Sequence, residues 1–306
     1  MIKEIDYLYL PKKTVLNNRY VIRKRLSDRT NFSIPYLAYD KFKDRKVVIK
    51  EFFPKDFVLR DLDGKMITLR DKKVKDKFNE QKKIFTKETR IISKFSSENI
   101  VECYNYFVEN KTCYIVLKYY PGPTLKEYIS NEKIKFVEFI SEIFLPLLDA
   151  VALIHRQNFI HGDLKPENIV ISEGRPVILD FGSAIKYKQE KNHKIFISPG
   201  YSPLEFYATK SKKGPFSDIY SLSAILYYYL TKKLPPAAPK RLFETELAEL
   251  NKLDFEMSHY FSKLFLKNFA LEANKRDNKI NIYKKKILIE YYRQRGIKIL
   301  KSIFKK

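Results

Sequence analysis

Tryptophan is absent from the 306-residue chain, and cysteine (2), histidine (4) and glycine (8) are scarce. Cys103 and Cys113 have no metal-ligand partners spaced around them, which excludes a disulfide framework, a zinc site of ordinary spacing and a thioredoxin-like motif. Both read as small residues of neighbouring strands, buried in a reducing compartment as free cysteines usually are. Long apolar runs are also missing. The longest are short stretches such as residues 225–230, far below the ~20 residues that cross a bilayer. The opening Met-Ile-Lys-Glu-Ile-Asp lacks a basic stretch followed by an apolar one, so no secretory leader is expected. A soluble, cytoplasmic protein is predicted, with delivery into another cell left open. No fixed-period repeat and no low-complexity block is present, which excludes a solenoid.

Acidic residues are few as well: 36 against 60 Lys and Arg give a formal net charge of +24. Such a field attracts acidic protein segments, nucleic acid or anionic lipid, and does not choose among them. A composition rich in Lys, Ile, Asn, Tyr and Phe gives the competing reading, in which much of the charge is solvated surface. With 44% hydrophobic residues, the chain can bury one large core or two modest ones. The pattern changes character once. Over residues 19–119, short alternating runs such as Tyr20-Val21-Ile22, Val47-Val48-Ile49 and Tyr114-Ile115-Val116-Leu117 predict an antiparallel sheet. Asp63-Gly64 predicts a hairpin turn, and residues 74–95 predict one long helix. Pro121-Gly122-Pro123 then separates the sheet-rich part from a part dominated by helical periods. That arrangement predicts a ligand cleft.

Two runs carry chemistry: His161-Gly162-Asp163-Leu164-Lys165-Pro166-Glu167-Asn168, and Asp180-Phe181-Gly182 beyond it. Phosphoryl transfer needs metal-bridged phosphates, a cation on the phosphates that stay, and a carboxylate that orients the attacking hydroxyl and accepts its proton. The runs resemble the catalytic loop and metal-binding motif of the protein kinase superfamily, a match at about ten positions in the right order. The resemblance implies that Asp163 is the base, that Lys165 neutralises the γ-phosphate in transit, and that Asn168 and Asp180 bind Mg²⁺, with Mn²⁺ as a substitute. Val47-Val48-Ile49-Lys50 resembles the family's third-strand motif, whose lysine grips the α- and β-phosphates. Glu88 is its implied partner, since Ile92 and Phe95 at plus four and plus seven put a packing face beneath that carboxylate. Ser198-Pro199-Gly200-Tyr201-Ser202-Pro203-Leu204-Glu205 resembles the end of an activation segment, with Leu204 where proline is usual and Arg276 as the anchor of Glu205. Asp218 resembles the buried aspartate that organises the catalytic loop. Lys165 with Ser198 facing it resembles serine/threonine kinases, and Lys50-Glu51-Phe52-Phe53-Pro54 further resembles the eukaryotic-like kinases of bacteria.

The resemblance covers residues 18–290 and implies an α+β, two-lobed protein-kinase-like fold. Residues 1–120 would form an ATP-binding lobe of antiparallel sheet plus one long helix, 121–290 a mostly helical catalytic lobe, and 291–306 a basic tail. It implies an ATP- and Mg²⁺-dependent enzyme that phosphorylates Ser or Thr hydroxyls of protein substrates, acidic ones being favoured by the charge. The adenine pocket would use Leu26, Val48, Leu117 at the back wall, Val170 as floor, and the backbone of Lys118 and Tyr120. Three departures qualify this. Ser27-Asp28-Arg29-Thr30-Asn31-Phe32-Ser33 stands where a glycine-rich loop is expected, and without glycines the backbone cannot approach phosphates as freely. Arg29 is there either a compensating charge or a surface arginine. Val48 replaces an alanine, and Ile34 or Pro35 a valine; added bulk in a packed slot costs about 1–3 kcal/mol. Gly162 replaces an arginine that reads an activation-loop phosphate, so activity without loop phosphorylation is expected. The missing glycines motivate an alternative, a pseudokinase scaffold that binds a partner without phosphoryl transfer. A nucleic-acid-binding reading has only charge and Tyr/Phe content behind it. Finally, residues 283–306 carry nine Lys/Arg against one Glu. From about Gly296 they predict either a basic amphipathic stretch for anionic lipid or a partner, or a helix extension with its lysines in water.

Overall fold

Residues spaced two apart turn one face of each early strand inward. The strands are β1 (Val15–Leu16), β2 (Tyr20–Arg25), β3 (Ser33–Asp40) and β4 (Arg45–Phe52), then a hairpin of β5 (Val58–Arg60) and β6 (Ile67–Leu69), then β7 (Cys103–Glu109) and β8 (Thr112–Lys118). Tyr20 and Ile22, Tyr36 and Ala38, and Val47 and Ile49 are the buried alternates of β2, β3 and β4. Six of these strands form one antiparallel sheet in the order β1-β2-β3-β4-β8-β7. The hairpin turn expected at Asp63-Gly64 lies between β5 and β6, with Gly64 at φ +69°. The computed structural model describes residues 8–27, 32–188, 196–243 and 258–303. Arg29 and the centre of the glycine-free loop lie outside them.

The long helix is α1 (Lys75–Ile92), shorter than the expected 74–95. Asp71 accepts the Lys73 N–H and starts a 3₁₀ turn over Lys72–Val74. At the other end, Lys94 and Phe95 donate to carbonyls three residues back, which tightens the chain out of the helix. Phe78, Phe85, Glu88 and Ile92 form its buried stripe, and the ring of Phe52 in β4 lies 5.3 Å from those of both Phe78 and Phe85. The sheet, hairpin and α1 form one compact unit, Met1–Ser96 with Val101–Tyr120; Ser97–Ile100 with Pro121–Lys306 form a second.

The second unit begins with α2 (Leu125–Asn131), closed by a capping box of Thr124 and Glu127. A continuous helical stretch follows: α3 (Phe136–Glu138), a π-turn over Phe139–Phe144, and α4 (Leu145–Arg156). Short strands β9 (Phe159–Ile160), β10 (Ile169–Ser172), β11 (Arg175–Ile178) and β12 (Ile185–Lys186) pair as β9–β12 and β10–β11. Helix α5 (Pro215–Thr231) is buried all round from Ser217 to Leu230, as expected of a helix at the centre of a core. The π-turn lets Phe139 stack on Tyr229 of α5 at 3.7 Å. Helices α6 (His259–Asn268) and α7 (Ile280–Ile303) complete the unit. The stretch expected as a basic tail, 291–306, is helical as far as Ile303, since α7 continues unbroken through Gly296. One interior glycine costs only about 1 kcal/mol, and its Arg, Gln, Lys and Leu neighbours are good helix formers. Among the described residues, no helix is long and apolar enough to cross a membrane. Cys103 on β7 and Cys113 on β8 are free, and burial pushes their thiols up to about 11 and about 12.

Candidate active site

In the first unit, Lys50 and Glu88 meet. Lys50 Nζ donates to Glu88 Oε1 at 2.7 Å, with the carboxylate buried and the lysine side chain 11% exposed. Strand β4 presents the lysine, and the packing of α1 on Phe52 presents the glutamate. Residues directly opposite in an antiparallel ladder share a face. Val48 faces Leu37 on one side and Leu117 on the other, and Pro35 faces Lys50. Of the two residues weighed for the second-strand valine, Pro35 shares the face of Lys50, Val48 and Leu117, while Ile34 lies buried on the opposite face. Leu117 is buried, Val48 and Tyr120 are half-buried, Lys118 is exposed, and Leu26 is 40% exposed just beyond β2. The Lys118 N–H donates to the Glu102 carbonyl at 2.9 Å. Burial pushes the Tyr120 hydroxyl up to about 12.

In the second unit, β9 delivers the chain into the loop 161–168, and Asp218 in the first turn of α5 holds that loop. Its carboxylate accepts the N–H of His161 at 2.9 Å and of Gly162 at 3.0 Å, and bonds His155 Nε2 at 2.8 Å. Burial works against the charge of Asp218, but the bond and charge of His155, the His161 charge and the Gly162 N–H outweigh it and hold the carboxyl below its ordinary range. His161 is also fully buried, 4.9 Å from the Phe181 ring, and burial lowers its imidazole. Gly162 sits at φ +79°, and a Cβ there would come within 2.7 Å of the Ser183 carbonyl oxygen.

Four side chains converge one residue on. Asp163 Oδ2 accepts from Lys165 Nζ at 2.8 Å and from Asn168 Nδ2 at 3.0 Å; Asp163 Oδ1 accepts from Ser198 Oγ at 2.6 Å. Lys165 Nζ also donates to Ser198 Oγ at 2.8 Å, and Asn168 Nδ2 to the Asp163 carbonyl at 2.9 Å. Asp180 Oδ1 accepts the Gly182 N–H at 2.9 Å, ahead of fully buried Phe181. Val170 is buried in β10. The stretch ending at Glu205 is tied down by Arg276, whose Nη1 and Nη2 reach Glu205 at 2.8 and 3.2 Å. Two supporting groups carried no sequence signal: His155, an ordinary position in α4, and Ser217, whose hydroxyl donates to Glu205 Oε1 at 2.8 Å.

These donors suit Mg-nucleotide chemistry. Mg²⁺ takes oxygen ligands, usually one or two carboxylates together with phosphates and water. The Asn168 amide nitrogen is engaged by Asp163, which leaves its carbonyl oxygen as the ligating end, and Asp180 adds a carboxylate. Lys50, bonded to Glu88, is a cation of the kind that can bind phosphate.

The model of the protein kinase domain family matches residues 58–293. Aurora/IPL1-related protein kinase 2 of Caenorhabditis briggsae is 30% identical over 151 residues, 49% of this chain and 49% of that protein. Serine/threonine-protein kinase PknA of Nostoc sp. is 31% identical over 163 residues, 49% of this chain and 28% of that protein. Serine/threonine-protein kinase C of Synechocystis sp. is 28% identical over 235 residues, 72% of this chain and 40% of that protein. The chain thus spans half or less of the length of these relatives. Among solved structures, the PpkA-294 apo form matches with a TM-score of 0.78 and 27% identity, over 92% of this chain and 99% of that one.

Proposed function

The chain belongs to the protein kinase family, and from that premise we propose that it transfers the γ-phosphate of ATP to Ser or Thr hydroxyls of protein substrates. Its antiparallel sheet with one helix and its mostly helical second unit are the protein-kinase fold. One observation carries the reading: a hydroxyl, that of Ser198, already donates to Asp163 Oδ1 at 2.6 Å while Lys165 and Asn168 hold Oδ2. A general base must lie within hydrogen-bond reach of the proton it takes, and Asp163 is aimed at an alcohol. In this reading Asp163 orients the acceptor hydroxyl and receives its proton. Lys165 sets a positive charge beside the transferring group, and Lys50, steadied by Glu88, holds the phosphates that stay. Asn168 and Asp180 would hold Mg²⁺, or Mn²⁺ in its place, which would supply positive charge to the phosphates. For the base this reading assigns Leu26, Val48 and Leu117 with the backbone of Lys118 and Tyr120 in the first unit, and Val170 in the second.

Radiolabelled ATP with a lysate, followed by mapping of the phosphosites, tests this. Wild type should label Ser and Thr residues. Asp163→Asn should label them about 10²–10⁴-fold more slowly while still binding nucleotide. Equal labelling by both proteins would sink the assignment of Asp163. Nucleotide or partner binding by wild type without labelling would favour the scaffold reading.

A further inference from the structure

Glu51 follows Lys50 on β4, and alternation sends its side chain to the opposite face of the sheet. There the carboxylate is fully buried and accepts four hydrogen bonds: Arg60 Nη1 at 2.6 Å, Arg60 Nη2 at 2.7 Å, Tyr36 Oη at 3.1 Å and Tyr114 Oη at 3.2 Å. The Arg60 side chain, 2% exposed, also donates to the carbonyls of Lys65 at 2.9 Å and Leu8 at 3.0 Å, and its guanidinium lies 4.6 Å from the Phe53 ring centre. Both tyrosines are themselves held, Tyr36 Oη by the Leu10 N–H and Tyr114 Oη by Asn110 Nδ2, each at 3.0 Å. A buried fork-to-carboxylate pair is highly specific in geometry. As a source of net stability it is poor, because both ions give up hydration. The phosphoryl-transfer reading uses none of these groups.

What the pair joins supplies its reason. Strand β4 carries Lys50, helix α1 carries Glu88, and the β5–β6 hairpin lies on the stretch of chain between them. Arg60 fastens that hairpin to β4 one residue from Lys50. Beyond it, Arg70 Nε donates to the Lys55 carbonyl at 2.9 Å, and Asp71 caps the turn into α1. On the other side of Glu51, Phe52 is the residue against which Phe78 and Phe85 of α1 pack. We propose that Glu51 and Arg60 are positioning residues: they clamp the hairpin that leads into α1 and so hold Glu88 against Lys50 as a permanent feature of the fold. In this family the lysine–glutamate pair must be in place for transfer, and placing that helix is a common point of control. Here the clamp does the placing, in a chain with Gly162 where a phosphate-reading arginine would stand. The kinetic consequence rests on the kinase reading; the mechanical one does not.

Removing Arg60 alone would leave a buried charge unpaired, so the deciding variant is Glu51→Gln/Arg60→Met, which removes both charges and keeps the volume. Arg60→Lys keeps the charge and loses the fork. Two readouts are taken on the full chain, at a temperature where circular dichroism shows native helix content. The first is amide hydrogen exchange of peptides within 75–92, compared with peptides of β7 and β8. In the double variant the α1 peptides should exchange at least ~10-fold faster while the β7–β8 peptides keep their protection. The second is the split between KM for ATP and kcat: KM should rise about 10-fold, with Arg60→Lys intermediate. Wild-type exchange in α1, or acceleration spread evenly over the unit with KM unchanged, would overturn the proposal. If the double variant does not fold, Tyr36→Phe/Tyr114→Phe decides by the same readouts, since it removes two of the four bonds without unpairing a charge; about 3-fold changes are expected there, and wild-type values would overturn the proposal. A wild-type protein that transfers no phosphate removes the kinase reading and leaves the exchange result to judge the clamp.

Discussion

Gly162 answers two demands at once, a left-handed backbone and room beside the Ser183 carbonyl. Any side chain there must push the loop away from Asp218, whose carboxylate holds its N–H. Gly162→Ala should lower stability by about 1–3 kcal/mol in urea unfolding, and Gly162→Arg at least as much. An arginine variant of wild-type stability would show that the loop can move. The neighbouring buried groups set a pH trend. His161 is held below its ordinary 6.5 by burial, and Asp218 below its ordinary 3.8 by the donors that surround it. In both, the unfolded chain takes up the proton first. Stability is therefore fully present above the unfolded value and falls as pH drops through it. The thermal midpoint should decline as pH goes from about 7 to about 5, with a second decline below about 4; a rise over either interval would contradict this. Residues named by motif, such as Asp163, Lys165 and Lys50, stand out in the sequence because the chemistry proposed for them demands fixed identities in a fixed order. The choice between Ile34 and Pro35 was not legible there, because it depends on strand register and the loop before them contains no glycine to count from. Nor was His155, since a histidine on a helix carries no mark of what it faces.

Elements were legible where their period was clean. The alternation of β2, β3 and β4 and the stripe of α1 at Phe78, Phe85, Glu88 and Ile92 placed a sheet and one long helix. Boundaries were less so, because caps decide them: Asp71 diverts the chain into a 3₁₀ turn before α1 can start. At α7 the signal for a break, Gly296, was too weak to stop a helix of favourable residues. The start of α2 is instead written in full, with Thr124 and Glu127 each bonding the other's backbone. Thr124→Ala should cost about 1 kcal/mol, read as a shift of the urea midpoint at constant slope. An unchanged midpoint would mean that tertiary packing alone sets this end.

Across the whole molecule, the ties that close the second unit are buried and distant in sequence. Arg276 and Glu205 lie 71 residues apart, with the arginine side chain wholly buried. Arg276→Met would strand the Glu205 carboxylate and should cost about 3–5 kcal/mol by urea unfolding; a cost under a third of that would mean that Glu205 finds water or another donor. The net charge of +24 acts at longer range, and any association with an acidic substrate should slow as salt is raised past about 0.15 M, where the screening length falls to about 8 Å. The π-turn over Phe139–Phe144 has a consequence for comparing this chain with its relatives. Each of its bonds spans five residues where an α-helix spans four, so the turn is an α-helix that has absorbed one inserted residue while α3 and α4 keep their faces. An alignment through this stretch should place a one-residue gap inside the helix rather than in a loop. Conversely, deleting one residue from the turn should heal it to plain α-helix, where a deletion elsewhere in α4 would rotate every later side chain by about 100°.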